Sequence, residues 1–298
     1  MGKILIFGAH GLLGQNLVHA FAQSHDVHGV GIEPKGQFNT DKLMEYCQGD
    51  ITDAKQVAHF IGDEKWSAII NTAAYTNVDR AEDEPEKAYA LNAEAIQHIM
   101  GVIPRQTPMV HISTDYIFDG TSGPYREDDP VAPQGVYAQT KYAGEAIVTG
   151  SGKPAIIVRP NVLYGHGEKL TSSFVAWLVK ELSEDRPVNI VDDQFNNPTY
   201  AKRLAELIVR LVADQALGAW HFGSREVVSR YSFALKIADV FGLNVDLIHP
   251  TSTAALKQKA PRPMRSGLIC DKLVSGLNYE ILPIHEELAL LKEEMYAG

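Results

Sequence analysis

Gly8-Ala9-His10-Gly11-Leu12-Leu13-Gly14 follows the apolar run Ile4-Leu5-Ile6-Phe7 and opens a helix-like stretch at Leu12. A glycine turn between a buried strand and a helix is the place where an α/β fold takes up a dinucleotide pyrophosphate. Gly8 permits the tight turn, Gly11 lets the backbone approach phosphate, and Gly14 lets helix and strand pack closely. The helix amino terminus adds N–H groups and the positive end of its dipole. The spacing is G-x-x-G-x-x-G, which differs from the G-x-G-x-x-G of many dehydrogenases.

Outward from this loop, short apolar runs at 3–7, 27–32, 68–71, 109–113 and 155–159 alternate with helix-like stretches at 12–24, 53–62, 85–100 and 137–149. Continuous apolar runs of this length read as strands buried on both faces of a parallel sheet. Strand and helix in alternation predict right-handed crossovers and an α/β, Rossmann-type doubly wound parallel sheet. Beyond residue 160 the pattern loosens. Helices are predicted over 174–182, 200–213, 231–241 and from 284, a late strand over 218–223, and an irregular stretch over 253–263. We expect a dinucleotide-binding domain made of 1–160, about 187–223 and the last helix. A smaller C-terminal substrate-binding lobe would comprise about 161–186 and 224–283, with the binding crevice between the two.

Composition narrows the partners. A formal net charge of −10 over 298 residues argues against a nucleic-acid groove or an anionic membrane surface. No apolar stretch approaches the ~20 residues of a membrane helix, and the predicted first strand begins at once after Met1. The two cysteines, Cys47 and Cys270, stand in no metal-ligand spacing. A cytoplasmic protein without a metal is expected, as a monomer or homodimer.

Glu33 closes the predicted second strand. An acid there accepts hydrogen bonds from an adenosine ribose and repels a 2′-phosphate. NADH or NADPH is therefore expected as cofactor, NADH at least as good, with nearby Lys35 softening the repulsion. Asp50 and Ile51 follow the predicted third strand, where an acid can meet the adenine edge.

The chemistry is expected past the strand at 109–113, where Thr114 and Asp115 stand at a carboxyl end. Tyr137-Ala138-Gln139-Thr140-Lys141 places a tyrosine and a lysine one helical turn apart. A ketone taking up hydride needs a proton on its developing alkoxide, which a Tyr hydroxyl supplies with Thr114 as a second donor. An ammonium ~4 Å away at an effective dielectric of ~20 contributes about 4 kcal/mol. That predicts a Tyr137 pKa lowered by as much as roughly 3 units, before desolvation pushes back. Lys141 is also expected at the nicotinamide ribose.

Longer stretches carry a family resemblance. Asn71-Thr72-Ala73-Ala74-Tyr75-Thr76-Asn77-Val78-Asp79-Arg80-Ala81-Glu82, His111-Ile112-Ser113-Thr114-Asp115-Tyr116-Ile117-Phe118-Asp119-Gly120, residues 137–145, Asp193-Gln194-Phe195 with Pro198-Thr199, and Arg262-Pro263 before Ser266 and Leu268 closely resemble the dTDP-4-dehydrorhamnose reductase group of extended short-chain dehydrogenases/reductases. The resemblance implies NAD(P)H-dependent reduction of the 4-keto group of a nucleoside-diphosphate deoxysugar. It makes Tyr137 the proton donor, Lys141 its partner and Thr114 an assistant, with Asp115 and Thr76 at the sugar. Gly11, Leu12 and Leu13 would hold the pyrophosphate, with Glu33, Asp50, Ile51, Ala73, Ala74 and Tyr75 along the rest of the cofactor. Arg262 is expected to clamp the substrate diphosphate, since a guanidinium fork matches phosphate.

Three positions depart from that group. Asn16 stands where some members hold magnesium through a glutamate. Val162 stands where a tryptophan often lies against the sugar, and Asn196 replaces a usual glycine. Two other readings share the resemblance. One is a dinucleotide-binding regulatory subunit like that of methionine adenosyltransferase. The other is a nucleotide-sugar epimerase or dehydratase retaining its NAD, which Tyr116 weakens because a dehydratase usually has an acid there.

Overall fold

The computed structural model describes residues 2–37, 39–168 and 173–296. Seven parallel strands form the central sheet: β1 (Gly2–Phe7), β2 (His25–Gly31), β3 (Glu45–Gln48), β4 (Trp66–Asn71), β5 (Met109–Ile112), β6 (Ala155–Pro160) and β7 (Gly218–Phe222). Their order across the sheet is β7-β6-β5-β4-β1-β2-β3. The chain builds outward from β1 in one direction and then resumes on its other side with β4. A crevice opens at the carboxyl ends of β1 and β4, the switch point at which such sheets bind ligands.

Alternation along the strands explains the layers. Ile4, Ile6, Ala68, Ile70, Val110, Ile156 and Val158 share one core with Leu13, Leu17 and Phe21 of α1 (Leu12–Phe21). Leu5, Phe7, Ile69, Met109 and Ile157 point into the opposite core with Val57 and Ile61 of α2 (Ala54–Ile61) and Ile96 and Ile99 of α3 (Ala95–Val102). Both faces are covered, so the strands read as unbroken apolar runs. The helix expected over 85–100 is interrupted: a π turn, Ala90–Glu94, separates Pro85–Tyr89 from α3.

Gly8 has φ +80, and a Cβ there would come within 2.6 Å of the Ala73 amide nitrogen. A Cβ on Gly14 would lie 2.1 Å from the Gly8 carbonyl oxygen. These two glycines are required by close approach, one to β4's exit and one to the helix.

A separate core defines the lobe. Val175, Leu178 and Leu182 of α5 pack with Phe233, Ile237 and Phe241 of α7, where α4 is Gly135–Gly150, α5 Phe174–Ser183, α6 Ala201–Ala213 and α7 Arg230–Phe241. The lobe also holds a parallel strand pair, Val188–Val191 with Ile248–Thr251. Residues 188–191 and the last helix, α8 (Ile284–Tyr296), were expected with the dinucleotide-binding part. Val188, Ile190, Ile284, Leu288 and Leu291 belong instead to the lobe's core, because α8 presents its apolar stripe to α7. No helix among the described residues is long and apolar enough to cross a membrane.

Candidate active site

A cavity of about 760 Å³ runs from the glycine loop, past the carboxyl ends of the central strands, to the lobe. At its first end lie Gly8, Gly11, Leu12, Leu13 and Gly14. Gly11 is the amino-terminal cap of α1, and no side chain caps the helix. The uncapped first turn therefore faces open space with its amide groups unclaimed by a side chain, which suits a phosphate. A Cβ on Gly11 would meet only the Gly8 carbonyl oxygen, at 3.4 Å. Glu33, Asp50, Ile51, Ala73 and Ala74 line the same wall. Glu33 Oε1 lies 3.3 Å from His10 Nδ1, and its backbone carbonyl accepts a 2.7 Å bond from the Tyr46 hydroxyl. These residues fit a nicotinamide dinucleotide: a glycine cradle for the phosphates and a carboxylate at the end of β2 for a ribose.

The reacting end is assembled where β5 gives way to a turn. Thr114, Asp115, Tyr137 and Lys141 all line the cavity. Tyr137 stands in the first turn of α4 and Lys141 one turn on, so the helix alone brings them to one face. Lys141 is buried and its Nζ donates a 2.6 Å hydrogen bond to the Ile112 carbonyl. Burial lowers its pKa to about 8, with Glu145 pulling the other way. Tyr137 is moved in the direction opposite to the expectation. Burial raises its pKa well above the ordinary tyrosine value; the Thr114 hydrogen bond opposes this, while Asp115 and Tyr116 add to it. The ammonium of Lys141 is engaged by the Ile112 carbonyl, and desolvation of the phenol prevails. Asp115, also buried, accepts a 3.1 Å bond from Thr114 Oγ1, and burial raises its pKa to about 6.

Beneath these groups runs a polar network shielded from solvent. Glu145 of α4 accepts from Ser113 Oγ at 2.6 Å and from Arg159 of β6 at 2.5 and 3.2 Å. Arg159 also donates to the Glu127 carbonyl at 2.9 Å and lies 3.2 Å from His221 Nε2. A second tie comes from Asn92 in the π turn. Its Oδ1 accepts from the Tyr75 amide at 2.8 Å, and its Nδ2 donates to Thr140 Oγ1 at 3.0 Å. α4 is thus fixed to the end of β5, to β6 and to the loop after β4.

Two expected residues are placed elsewhere. The Tyr75 hydroxyl turns from the cavity and donates to Glu84 at 2.8 Å. Arg262 does not line the cavity: its Nη2 donates to Asp79 at 2.8 Å and its Nη1 to the Ala260 carbonyl at 3.1 Å. Its charge is already compensated, so the clamp expected of it is not the arrangement found. Thr76 and Val162 do line the cavity.

Tyr116, Phe174 and Arg230 are among the lining residues to which the sequence reading gave no place in the site. Tyr116 sets its ring edge-on to Tyr137, with centroids 5.5 Å apart. Phe174 and Arg230 close the lobe side, the guanidinium 4.9 Å from the Phe174 ring centre. An arginine and a phenylalanine at helix starts are unremarkable as sequence, and only the lobe's packing makes them neighbours. Asn16 donates to the Leu12 and His166 carbonyls at 2.8 and 3.2 Å. Among the described residues, no group of three or more His, Cys, Asp or Glu is placed to hold a metal ion.

Comparison with known proteins gives the family and supports the fold. The family described as RmlD substrate binding domain matches residues 2–296. A dTDP-4-dehydrorhamnose reductase of Mycobacterium tuberculosis is 35% identical over 274 residues, 89% of this chain and 84% of its own. Methionine adenosyltransferase 2 subunit beta of Pongo abelii is 31% identical, covering 91% of this chain and 81% of its own. The crystal structure of dTDP-4-dehydrorhamnose reductase from Bacillus anthracis in complex with NADP superposes with a TM-score of 0.87 at 29% identity, covering 99% of this chain and 100% of that one. The glycine cradle, the Thr114–Tyr137–Lys141 constellation and a match along nearly the whole sequence place this chain in the RmlD substrate binding domain family.

Proposed function

We propose that this protein reduces the 4-keto group of a nucleoside-diphosphate deoxysugar, as its dTDP-4-dehydrorhamnose reductase relatives are named for doing. The observation that carries the reading is a single cavity with a phosphate cradle at one end and Thr114, Tyr137 and Lys141 at the other. A reduced nicotinamide, when bound, supplies the hydride. The chain's own groups handle the proton. Burial keeps the Tyr137 hydroxyl protonated at neutral pH, so it is a donor in its resting form. As the carbonyl carbon is reduced, its oxygen gains charge and becomes basic enough to take the Tyr137 proton. Thr114 Oγ1, on turning its hydrogen from Asp115 to the substrate, offers a second hydrogen bond to the same oxygen. Lys141 stabilises the phenolate left behind, and its proton favours the transfer from below. Tyr116 packs against the Tyr137 ring and limits its rotation.

NADH is proposed to bind at least as well as NADPH, on the strength of the Glu33 carboxylate at the cofactor wall. The part built on the seven-stranded sheet takes the cofactor and the lobe takes the substrate. A cytoplasmic monomer or homodimer without a metal is the working assembly. The relationship to methionine adenosyltransferase 2 subunit beta supports a second reading, in which dinucleotide binding serves a partner protein. A panel of nucleoside-diphosphate 4-keto sugars, assayed for oxidation of NADH and NADPH, decides between them. Turnover of one of them supports the reductase; no oxidation with any, alongside tight cofactor binding, overturns it.

A further inference from the structure

Arg230 is the first residue of α7, and its guanidinium lies on the ring of Phe174, 4.9 Å from the ring centre. That ring is itself braced by Phe233 at 5.9 Å and Trp177 at 5.8 Å. Both Arg230 and Phe174 line the cavity. No ion pair or side-chain hydrogen bond joins Arg230 to another described residue. Stacking holds a guanidinium by its face and leaves its N–H edge available, the edge that grips two oxygens of a phosphate at once. Arg262 differs in kind, because Asp79 and the Ala260 carbonyl use its donors.

An enclosed cation held in no direct ion pair is costly, and the cost is relieved when a ligand brings an anion to its donors. The cofactor's phosphates are expected at Gly11, Leu12 and Leu13, on the first turn of α1. Arg230 stands with the lobe, and the acidic and phenolic groups of Asp115 and Tyr116 bear on its charge. Those two residues adjoin Thr114, so the anion would lie on the substrate's side of the reacting carbonyl.

We propose that the Phe174–Arg230 pair is the binding site for the diphosphate of the nucleotide substrate, with the fork of Arg230 on the phosphate oxygens and Phe174 fixing its plane. This deepens the proposed function and rests on that reading for the identity of the substrate. Position 230 would then set carrier affinity independently of the proton-transfer groups.

The test is calorimetric, using the full chain and dTDP, UDP and GDP with the corresponding nucleosides as probes. The wild type should bind at least one diphosphate far more tightly than its nucleoside. Arg230→Ala should weaken that diphosphate by about 10- to 100-fold, the size of a charge-assisted contact. Nucleoside binding and NADPH binding should stay within about twofold of wild type, and Arg230→Lys should recover only part of the loss. Phe174→Leu, which keeps an apolar side chain and removes the ring, should weaken the diphosphate by a smaller factor. The inference fails if no diphosphate binds the wild type, if Arg230→Ala leaves its Kd unchanged, or if NADPH affinity falls equally. That last result would assign the anion to the cofactor. Diphosphate binding that depends on Arg230, in a protein that reduces no keto sugar, would sink the proposed reaction while leaving this site standing.

Discussion

Glu145 and Arg159 form an ion pair at 2.5 Å with side chains only 5% and 7% exposed, directly under the strand end that carries Thr114. Glu145 lies one helical turn beyond Lys141, so the pair that holds α4 to β6 also places a carboxylate beneath the lysine. Structure and electrostatics of the site are therefore set by the same contact.

Glu145→Gln leaves Arg159 buried without a counter-charge and should destabilise the fold by about 3–5 kcal/mol. Urea unfolding with intrinsic fluorescence measures this. Because Glu145 raises the pKa of Lys141, its loss should also move the alkaline limb of kcat/KM to lower pH. Wild-type Lys141, near 8, is cationic below that pH and loses its proton above it, so activity should decline through pH 8. An unmoved limb in the variant would separate Lys141 from that titration.

Tyr137→Phe should lower turnover by roughly 10²–10⁴-fold with cofactor affinity nearly unchanged. Lys141→Ala should lower both, since the lysine is also proposed to reach the nicotinamide ribose. Near-wild-type rates for Tyr137→Phe would remove the phenol from the mechanism.

The sheet and the meeting of Thr114, Tyr137 and Lys141 in one cavity were legible as sequence for one reason. Strands such as Ile4–Phe7 are buried on both faces and α4 has a regular period, so local pattern and tertiary role agree. The lobe lacks that agreement. Its strand pairs are short, and Val188–Val191 finds its partner in Ile248–Thr251, far along the chain and outside any repeating strand–helix unit. α8 was assigned to the wrong core because amphipathicity tells that a helix is packed, not on what. Arg262 stood out through its Arg-Pro setting, whereas Arg230 gained its place only through the stacking of Phe174. Tyr137 was misjudged in sign, since burial of a phenol cannot be read from the spacing to its lysine.

Glu33→Ala should shift preference toward NADPH, because the carboxylate opposes a 2′-phosphate. Fluorescence titration of the two cofactors reads the ratio directly. A strong NADPH preference in the wild type would show that another group, such as Lys35, governs the pocket.

Glu287 of α8 is 1% exposed and accepts a 2.9 Å bond from the Tyr164 hydroxyl; burial raises its pKa to about 8. An unfolded glutamate carboxyl titrates near 4.5, so the folded state holds the extra proton between these values. The stability Glu287 contributes should be complete below about pH 4.5, fall as pH rises to about 8, and be gone above it. Glu287→Gln should flatten this slope in thermal melts across the window. A slope equal to that of the wild type would place the titration elsewhere.

The seating of α8 in the lobe has a consequence for biosynthesis. Ile284, Leu288 and Leu291 complete a core whose other walls, α5 and α7, are translated much earlier. Until residues 284–291 leave the ribosome, the face of α7 that α8 covers lies open, while the first six strands of the sheet can already assemble. The nascent chain is therefore half finished for much of its synthesis, with a sticky face that chaperones or proteases can read. A truncation that removes the chain from residue 284 onward would act on protein abundance before it acted on chemistry.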